Sequence, residues 1–299
     1  MAKTVKSLQQ QPGIAARAAA STGEVVEVGV DYITAIGKTP ESQQSMQALA
    51  TTLLLEWHDA GNETRPWSMK GYEGFICGPI QVGTRQDSTL MRVTGGEADA
   101  QWERVWRISD AVTRVDLQVT LRPKIEAARL VARVRRQSCS WSNKRKDDPL
   151  VGWRGDNRGG ATVYVGSRFS DRFGRCYVKG VESGLEQYDG TVRFEVQFQK
   201  KTCGPLLRSV HQSNVRMVAV AGFVSGFFRS RGVTLLLPAV PTHPLRISRR
   251  PSDLDVKLRW LRDQVSPSIR RLLDAGLYDE VVTALGLGPS IADSEQSSE

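Results

Sequence analysis

A phenol flanked by two cations stands out in residues 161–182, ATVYVGSRFSDRFGRCYVKGVE. Successive side chains on a strand point to opposite faces. Arg175, Tyr177 and Lys179 therefore share one face, while Gly174, Cys176 and Val178 share the other. Cations so placed would hold a phosphate, and tyrosine is one of the few side chains that attacks one covalently. Two further strands put acids on polar faces: Asp116 in VTRVDLQVTL (112–121) and Glu195 in TVRFEVQFQK (191–200). If the three strands are neighbours with those faces aligned, two carboxylates lie beside a tyrosine and two basic side chains. Hard divalent ions such as Mg²⁺ or Mn²⁺ prefer carboxylate oxygens and keep several waters. Such an ion would polarise a phosphodiester and favour the tyrosinate, whose ordinary pKa is about 10. The product would be a protein–phosphotyrosine bond that conserves the energy of the cleaved bond for rejoining.

Each residue alone has a plainer reading. Asp116 and Glu195 suit ion pairs with a neighbouring Arg114 or Arg193. Tyr177 suits an ordinary amphipathic sheet position, and Lys179 with Glu182 a local ion pair of small worth. Tyr164 is a rival nucleophile, but its strand is short and apolar, which places it in the core.

The elements that must position these groups follow from periodicity. Residues 25–36 (VVEVGVDYITAI) alternate as a strand. Residues 41–60 follow a helical period with Met46, Leu49, Leu53 and Leu54 on one side, stopped by Gly61-Asn62. Strands are expected around 71–82 and 89–94, and a helix over 98–109. The strand over 112–121 turns Val115, Leu117 and Val119 one way and Arg114, Asp116, Gln118 and Thr120 the other. A basic amphipathic helix over 124–137 precedes a Gly-, Trp- and Lys/Arg-rich loop over 138–160. In the strand over 191–200, Val192, Phe194, Val196 and Phe198 point inward. Residues 206–229 read as one long helix. A Pro-rich linker then leads to helices over 252–264, 266–275 and 278–285. The order is that of an α+β protein: an antiparallel β-sheet core with helices packed on one face, followed by an all-helical C-terminal segment. The expected divisions are a flexible N-terminus (1–24), a catalytic domain (25–205), a C-terminal helical region (206–289) and an acidic tail (290–299).

Composition narrows the partners. The 299 residues suffice for one large or two modest domains. No apolar run approaches the ~20 residues of a spanning helix, so no membrane is expected. The N-terminus lacks the apolar core of a signal peptide. Four dispersed cysteines without a CxxC pair argue for free thiols in a reducing cytoplasm, and three isolated histidines argue against a His-based metal centre. The net charge is +9, and residues 122–158 hold eleven Arg or Lys against four acids beside Trp141 and Trp153. That concentration favours a polyanion, nucleic acid above all.

The run YVGSRFSDRFGRCYVKGVE resembles the central motif of the replication initiation factors of rolling-circle plasmids and phages (the Rep-trans type), approximately Y-F/I-G-x-R-x-S-D-R-F-I-R-I-Y-x-K-x-x-E. Gly166, Arg168, Ser170, Asp171, Arg172, Phe173, Arg175, Tyr177, Lys179 and Glu182 match in register. Upstream, TRVDLQVT is similar to the family's T-R-L/I-D-L-A-x-D strand at Arg114, Asp116 and Leu117. Downstream, VRFEVQFQKK is similar to W-R-V/L-E-I-E-L-K at Arg193 and Glu195.

The resemblance implies that Tyr177 is the DNA-nicking nucleophile, with Arg175 and Lys179 on the phosphate. It implies that Asp116 and Glu195 hold Mg²⁺ or Mn²⁺, although the family's second acid on the first strand falls at Thr120 here. Arg114 and Glu182 are implied as supporting residues. Arg168, Arg172, Arg133, Arg136, Lys144, Arg145 and Lys146 are candidate DNA contacts. The expected activity is nicking of one strand at an origin, with double-stranded origin DNA and a single-stranded nick site as substrates, a second copy of the chain as dimer partner, and a host helicase. Two alternatives are a non-catalytic origin-binding regulator on the same scaffold, which the missing acid favours, and a conjugative relaxase, which shares the chemistry.

Overall fold

In the computed structural model, residues 23–142, 151–155, 161–233 and 266–284 are described, with backbone alone for 141–142 and 151–155. Among them, ten strands form one sheet in which every pair is antiparallel. In chain order they are β1 (Gly23–Gly37), β2 (Thr64–Met69), β3 (Tyr72–Cys77), β4 (Ile80–Arg85), β5 (Ser88–Thr94), β6 (Ala111–Pro123), β7 (Val151–Gly155), β8 (Ala161–Val165), β9 (Arg172–Val178) and β10 (Val192–Gln199). Across the sheet they run β2-β3-β4-β5-β1-β6-β10-β9-β8-β7. The three strands carrying Asp116, Glu195 and Tyr177 are thus neighbours at its centre.

Alternation explains the layering. Leu117 pairs with Val30 and Val196, Phe194 with Val119 and Cys176, and Ile33 with Val115 and Val93. Paired residues share a face, so these apolar sets line one side. Five helices bury their apolar stripes against it: α1 (Pro40–Asp59), α2 (Gly95–Ile108), α3 (Ala127–Ser142), α5 (Cys203–His211) and α6 (Arg216–Arg229). Met46, Trp102, Val131, Leu206 and Phe228 are the kind of residue each contributes. The short α4 (Lys179–Ser183) follows β9 directly. The start of α1 is fixed by Thr39, whose hydroxyl accepts from Ser42 N, and by Pro40 in the first turn.

Several expectations need correction. Residues 71–82 form two strands, β3 and β4, because Gly78 adopts φ +54 and turns the chain. The strand β2 (TRPWSM) was not anticipated; it is an edge strand, where a proline is tolerated. Residues 138–160 are not simply a loop, since α3 runs to Ser142 and β7 pairs with β8. Residues 206–229 break into α5 and α6 at residues 212–215, where Val215 is extended. Tyr164 is not core: it is half-buried and pairs with Arg175, on the face away from the helices.

The sheet and α1 to α6 belong to one compact unit, and the last two described helices belong to a second. A boundary at 205/206 does not hold because α5 and α6 supply Leu206, Leu207, Val224 and Phe227 to the sheet's own core. In the second unit, α7 (Ser266–Asp274) and α8 (Tyr278–Ala284) occur where helices are expected. Residues 1–22, the helix at 252–264, and the tail at 290–299 lie outside the described residues.

Gly174 shows how tightly the helical layer meets β9, the strand that carries Tyr177. A Cβ there would stand 2.4 Å from Cε1 of Phe227 and 3.2 Å from Cζ of Phe228. Gly174→Ala should therefore cost about 1–3 kcal/mol by overpacking, read as a lowered urea midpoint. Adding Phe227→Leu should recover part of that loss; an unchanged midpoint in the single variant would refute the tight fit.

Candidate active site on the open sheet face

No described helix among the five that form the core covers the other face of the sheet, and the polar alternates converge there. Cα partners across the centre are Thr120 with Arg193, Gln118 with Glu195, Glu195 with Arg175, and Arg193 with Tyr177. The site is built almost entirely from adjacent strands, so its geometry is set by the ladder itself. The preceding turn is shaped by the other motif residues. Gly166 adopts φ +88, a region other residues rarely enter. Ser170 Oγ donates to Ser167 O at 2.7 Å, and Asp171 O accepts from Gln199 N at 2.9 Å. The glycine, serine and aspartate of the motif thus build the β8–β9 turn and tie it to β10.

At the centre, the Tyr177 hydroxyl donates to Glu195 Oε1, and Arg175 Nη2 forms an ion pair with Glu195 Oε2. Oε2 makes that ion pair but no hydrogen bond. Arg114 grips Asp116 with both prongs, Nε to Oδ1 at 2.8 Å and Nη2 to Oδ2 at 2.5 Å. Arg175 Nη2 also lies 3.6 Å from Asp116 Oδ2. Asp116 and Glu195 are 1% and 2% exposed and Tyr177 is 8% exposed, whereas the Arg175 side chain keeps 35%. The way in from solvent is over the guanidinium. Burial, then the charge and hydrogen bond of Glu195, push the Tyr177 phenol far above its ordinary pKa. In this arrangement Tyr177 is a protonated phenol resting on a carboxylate. The tyrosinate expected from the sequence is disfavoured here.

A second polar cluster adjoins the first. Arg193 donates from Nε to Thr120 Oγ1 at 2.9 Å and from Nη2 to Glu27 Oε2 at 2.6 Å, with Asp31 Oδ1 3.3 Å from Nη1. Thr120, standing where an acid was expected, anchors an arginine. Tyr188 and Gln118 close the cluster by donating to Glu27 at 3.2 and 2.9 Å. Asp31 has a raised pKa of about 6, caused first by burial, then by Glu195 against the opposing pull of Arg193, with Asp116 adding to the rise. Three carboxylates, Asp31, Asp116 and Glu195, therefore share one buried region with the guanidinium groups of Arg114, Arg175 and Arg193.

Asp31 escaped the sequence reading because β1 carries an irregularity in its pairing with β6 between Val30 and Tyr32. That bulge breaks the period-2 pattern that identified the other acids. Asp99 on α2 holds it, accepting from Val30 N at 2.9 Å and pairing with Arg216 on α6 at 2.7 Å.

The remaining candidates divide by location. Lys179 lies at the start of α4, paired with Glu182 at 2.5 Å and 6.0 Å from the Tyr177 ring centre. Arg168 is exposed and lies 5.1 Å over the Tyr164 ring, and Arg172 is exposed at the start of β9. Arg133 and Arg136 are exposed on α3, in the helical layer, and so lie across the sheet from Tyr177. With Ile125, Arg129, Ala132 and Cys139 they line a groove of about 890 Å³. Lys144, Arg145 and Lys146 fall outside the described residues.

Among the described residues, no three side chains of Asp, Glu, His or Cys converge on one point as a ready metal cage. The donor chemistry nevertheless suits a hard cation: Asp31, Asp116, Glu195 and the Gln118 Oε1, which accepts no hydrogen bond, offer only oxygen atoms. The four cysteines are free thiols, and no described helix is long and apolar enough to cross a membrane.

Strand order, shared face and motif register together bring Asp116, Glu195, Arg175 and Tyr177 onto one surface. Residues 110–219, from β6 through the first turn of α6, match the model of the replication initiation factor family (Rep_trans). This is the family whose motifs the chain resembles, and the matched span contains Asp116, Tyr177 and Glu195. No curated protein matches the chain. Among solved structures, it is similar to a rolling circle replication initiator protein from Geobacillus stearothermophilus, at 16% identity and a TM-score of 0.45, covering 73% of this chain and 93% of that one.

The raised pKa of Asp31 sets a stability test. A carboxyl with a folded pKa above its unfolded value supports folding at low pH and loses that support as pH rises through about 4 to 6. Asp31→Asn should therefore melt a few degrees higher than the parent at pH 7.5, with the gap closing toward pH 4. Equal melting temperatures at pH 7.5 would contradict the crowding of charge described here.

Proposed function

We propose that the protein is a rolling-circle replication initiator that nicks one strand of its origin through a covalent 5′-phosphotyrosine. The observation that carries this reading is the Tyr177–Glu195 hydrogen bond beside Arg175, on the open face of the sheet, within a replication initiation factor segment. Tyr177 Oη attacks the scissile phosphorus while its proton passes to Glu195 Oε1. The P–O3′ bond breaks, the departing oxygen takes a proton from water, and a 3′-OH primer is left. The 5′-phosphate stays on Tyr177. Glu195 thus acts as the general base, which a phenol held protonated requires.

Arg175 is the group best placed to receive the phosphate. Its partially exposed guanidinium already contacts both carboxylates, and an incoming phosphate competes for its donors. Once Arg175 turns to the phosphate, the excess negative charge of Asp31, Asp116 and Glu195 is left for a divalent cation. Mg²⁺ or Mn²⁺ held there would supply charge stabilisation to the phosphodiester oxygens. Lys179, paired with an exposed glutamate, and the exposed Arg168 and Arg172 line the approach. The groove on α3, with Arg133 and Arg136, suits duplex backbone away from the nick, which fits an enzyme that holds double-stranded origin and cuts an extruded single strand. A homodimer and a host helicase complete the assembly that this role requires.

The regulator reading keeps one supporting observation: Thr120 anchors Arg193 in the place of an acid. Incubation of supercoiled origin plasmid with Mn²⁺ separates the two. The parent should give nicked circles and a protein–DNA adduct, and Tyr177→Phe should give neither. Glu195→Gln, which cannot take the proton, should slow nicking by roughly 10²–10⁴-fold while DNA affinity is retained. Adduct formation by Tyr177→Phe, or parental rates in Glu195→Gln, would overturn the assignment; origin binding by the parent without any cleavage would favour the regulator.

A further inference from the structure

The open face continues well beyond the nick site, and its side chains there alternate between rings and guanidinium groups. The Arg114 guanidinium lies 4.0 Å from the centre of the Tyr32 ring. Arg92 lies 5.6 Å from the same ring and 5.6 Å from the ring of Trp67. The order from the centre of the sheet toward its β2 edge is thus Arg114, Tyr32, Arg92, Trp67. Register puts them on one face: Tyr32 pairs with Asp116, and Thr34 pairs with both Arg114 and Arg92. The indole is given room by Gly83, where a Cβ would stand 2.9 Å from Trp67 Cζ3.

Arg92 differs from the other arginines of this face. Arg114, Arg175 and Arg193 each hold carboxylates. Arg92 takes part in none of the ion pairs among the described residues. Its Nη1 donates to Gln81 Oε1 at 2.8 Å, its Nη2 meets Met69 Sδ at 3.0 Å, and its Nε is buried without a partner. The guanidinium is held in place by neutral groups and keeps its charge uncompensated. Tyr32, Trp67 and Arg92 are all half-buried, so ring faces and charge remain partly open to solvent.

We infer that this track is a binding site for single-stranded DNA flanking the nick, with Tyr32 and Trp67 as stacking positions and Arg92 as the phosphate contact between them. Rings that accept any base, interleaved with cations that follow the backbone, are the general means of holding an unpaired strand. Four strand spacings separate β5 from β9, about 19 Å at ~4.8 Å each. That span is about five to six nucleotides at a stacked rise of ~3.4 Å, and fewer for an extended strand. The track would therefore fix the strand on one side of the scissile phosphate and carry tension away from Tyr177. The inference deepens the proposed function and takes its substrate from it, but its test does not require cleavage.

The probe is fluorescent oligo-dT of about 16 nucleotides, titrated by anisotropy in EDTA with the parent, Trp67→Ala, Trp67→Phe, Arg92→Ala and Arg92→Lys. Trp67→Ala and Arg92→Ala should each weaken binding roughly tenfold, while Trp67→Phe and Arg92→Lys recover most of it. Arg92→Ala should also flatten the salt dependence by about one phosphate contact, about 0.7 in log–log slope, and Trp67→Ala should leave that slope unchanged. Titration in EDTA reads binding without cleavage, which keeps this outcome independent of the nicking assay. In case the alanine variants misfold, photocross-linking of the parent to 5-iodouracil oligonucleotide should modify Trp67 or Tyr32. Parental affinity in both folded alanine variants, or cross-links confined to residues elsewhere, would overturn the track and leave the ring–guanidinium contacts as internal packing.

Discussion

Everything at the centre of this molecule depends on how Glu195 is neutralised. A carboxylate 2% exposed, in the middle of a sheet, costs several kcal/mol unless its oxygens are paired. Here one oxygen takes the proton of a phenol and the other faces Arg175. The same two contacts that stabilise the buried charge also place the Tyr177 phenol against a carboxylate and a guanidinium against both. Removing one partner of such a buried pair typically costs about 3–5 kcal/mol, so the proposed catalytic arrangement and the stability of the sheet are not separable.

Around that pair the arginines behave as a set. Arg114 is committed to Asp116, Arg193 to Glu27 and Thr120, and Arg175 is shared between Asp116 and Glu195. Arg114 and Arg175 keep similar exposure, 32% and 35%, but only Arg175 is divided between two carboxylates, which is why the proposed function gives it the phosphate. Asp31 completes the balance from the other side. Its carboxyl is costly as an anion in the absence of a ligand, and the bulge that points it inward is braced by Asp99 and Arg216 from the helical layer. The helices opposite the site therefore contribute to its electrostatics through backbone placement, without touching it.

The two faces of the sheet differ in chemistry. The helical face carries the basic surface of α3, and the open face carries Tyr177 together with rings and cations that extend toward β2. Under the proposed function, this separation would let one face hold a duplex while the other takes an extruded strand, since unpaired bases need flat apolar surfaces and duplex backbone needs charge.

Much of this was legible in the residues themselves. Period-2 alternation in residues 112–121 and 191–200 gave the faces of β6 and β10 correctly, because one side is buried in an apolar core and the pattern is then strict. Glycine at 166 and the Ser170-Asp171 turn gave the hairpin that carries Tyr177. The acids Asp116 and Glu195 were visible as polar positions within those strands. What alternation does not encode is adjacency: that β6, β10 and β9 lie side by side, that Arg175 bridges the two carboxylates, and that Tyr177 rests on Glu195, are consequences of strand order and register. Asp31 was hidden for a sharper reason, since a bulge shifts the phase of β1 where it matters. The break between α5 and α6, and the half-exposed position of Tyr164, were likewise decided by packing against neighbours distant in the chain. Local chemistry determined which side chains were available; only the assembled sheet decided which of them meet, because charges buried together select partners by distance and not by sequence.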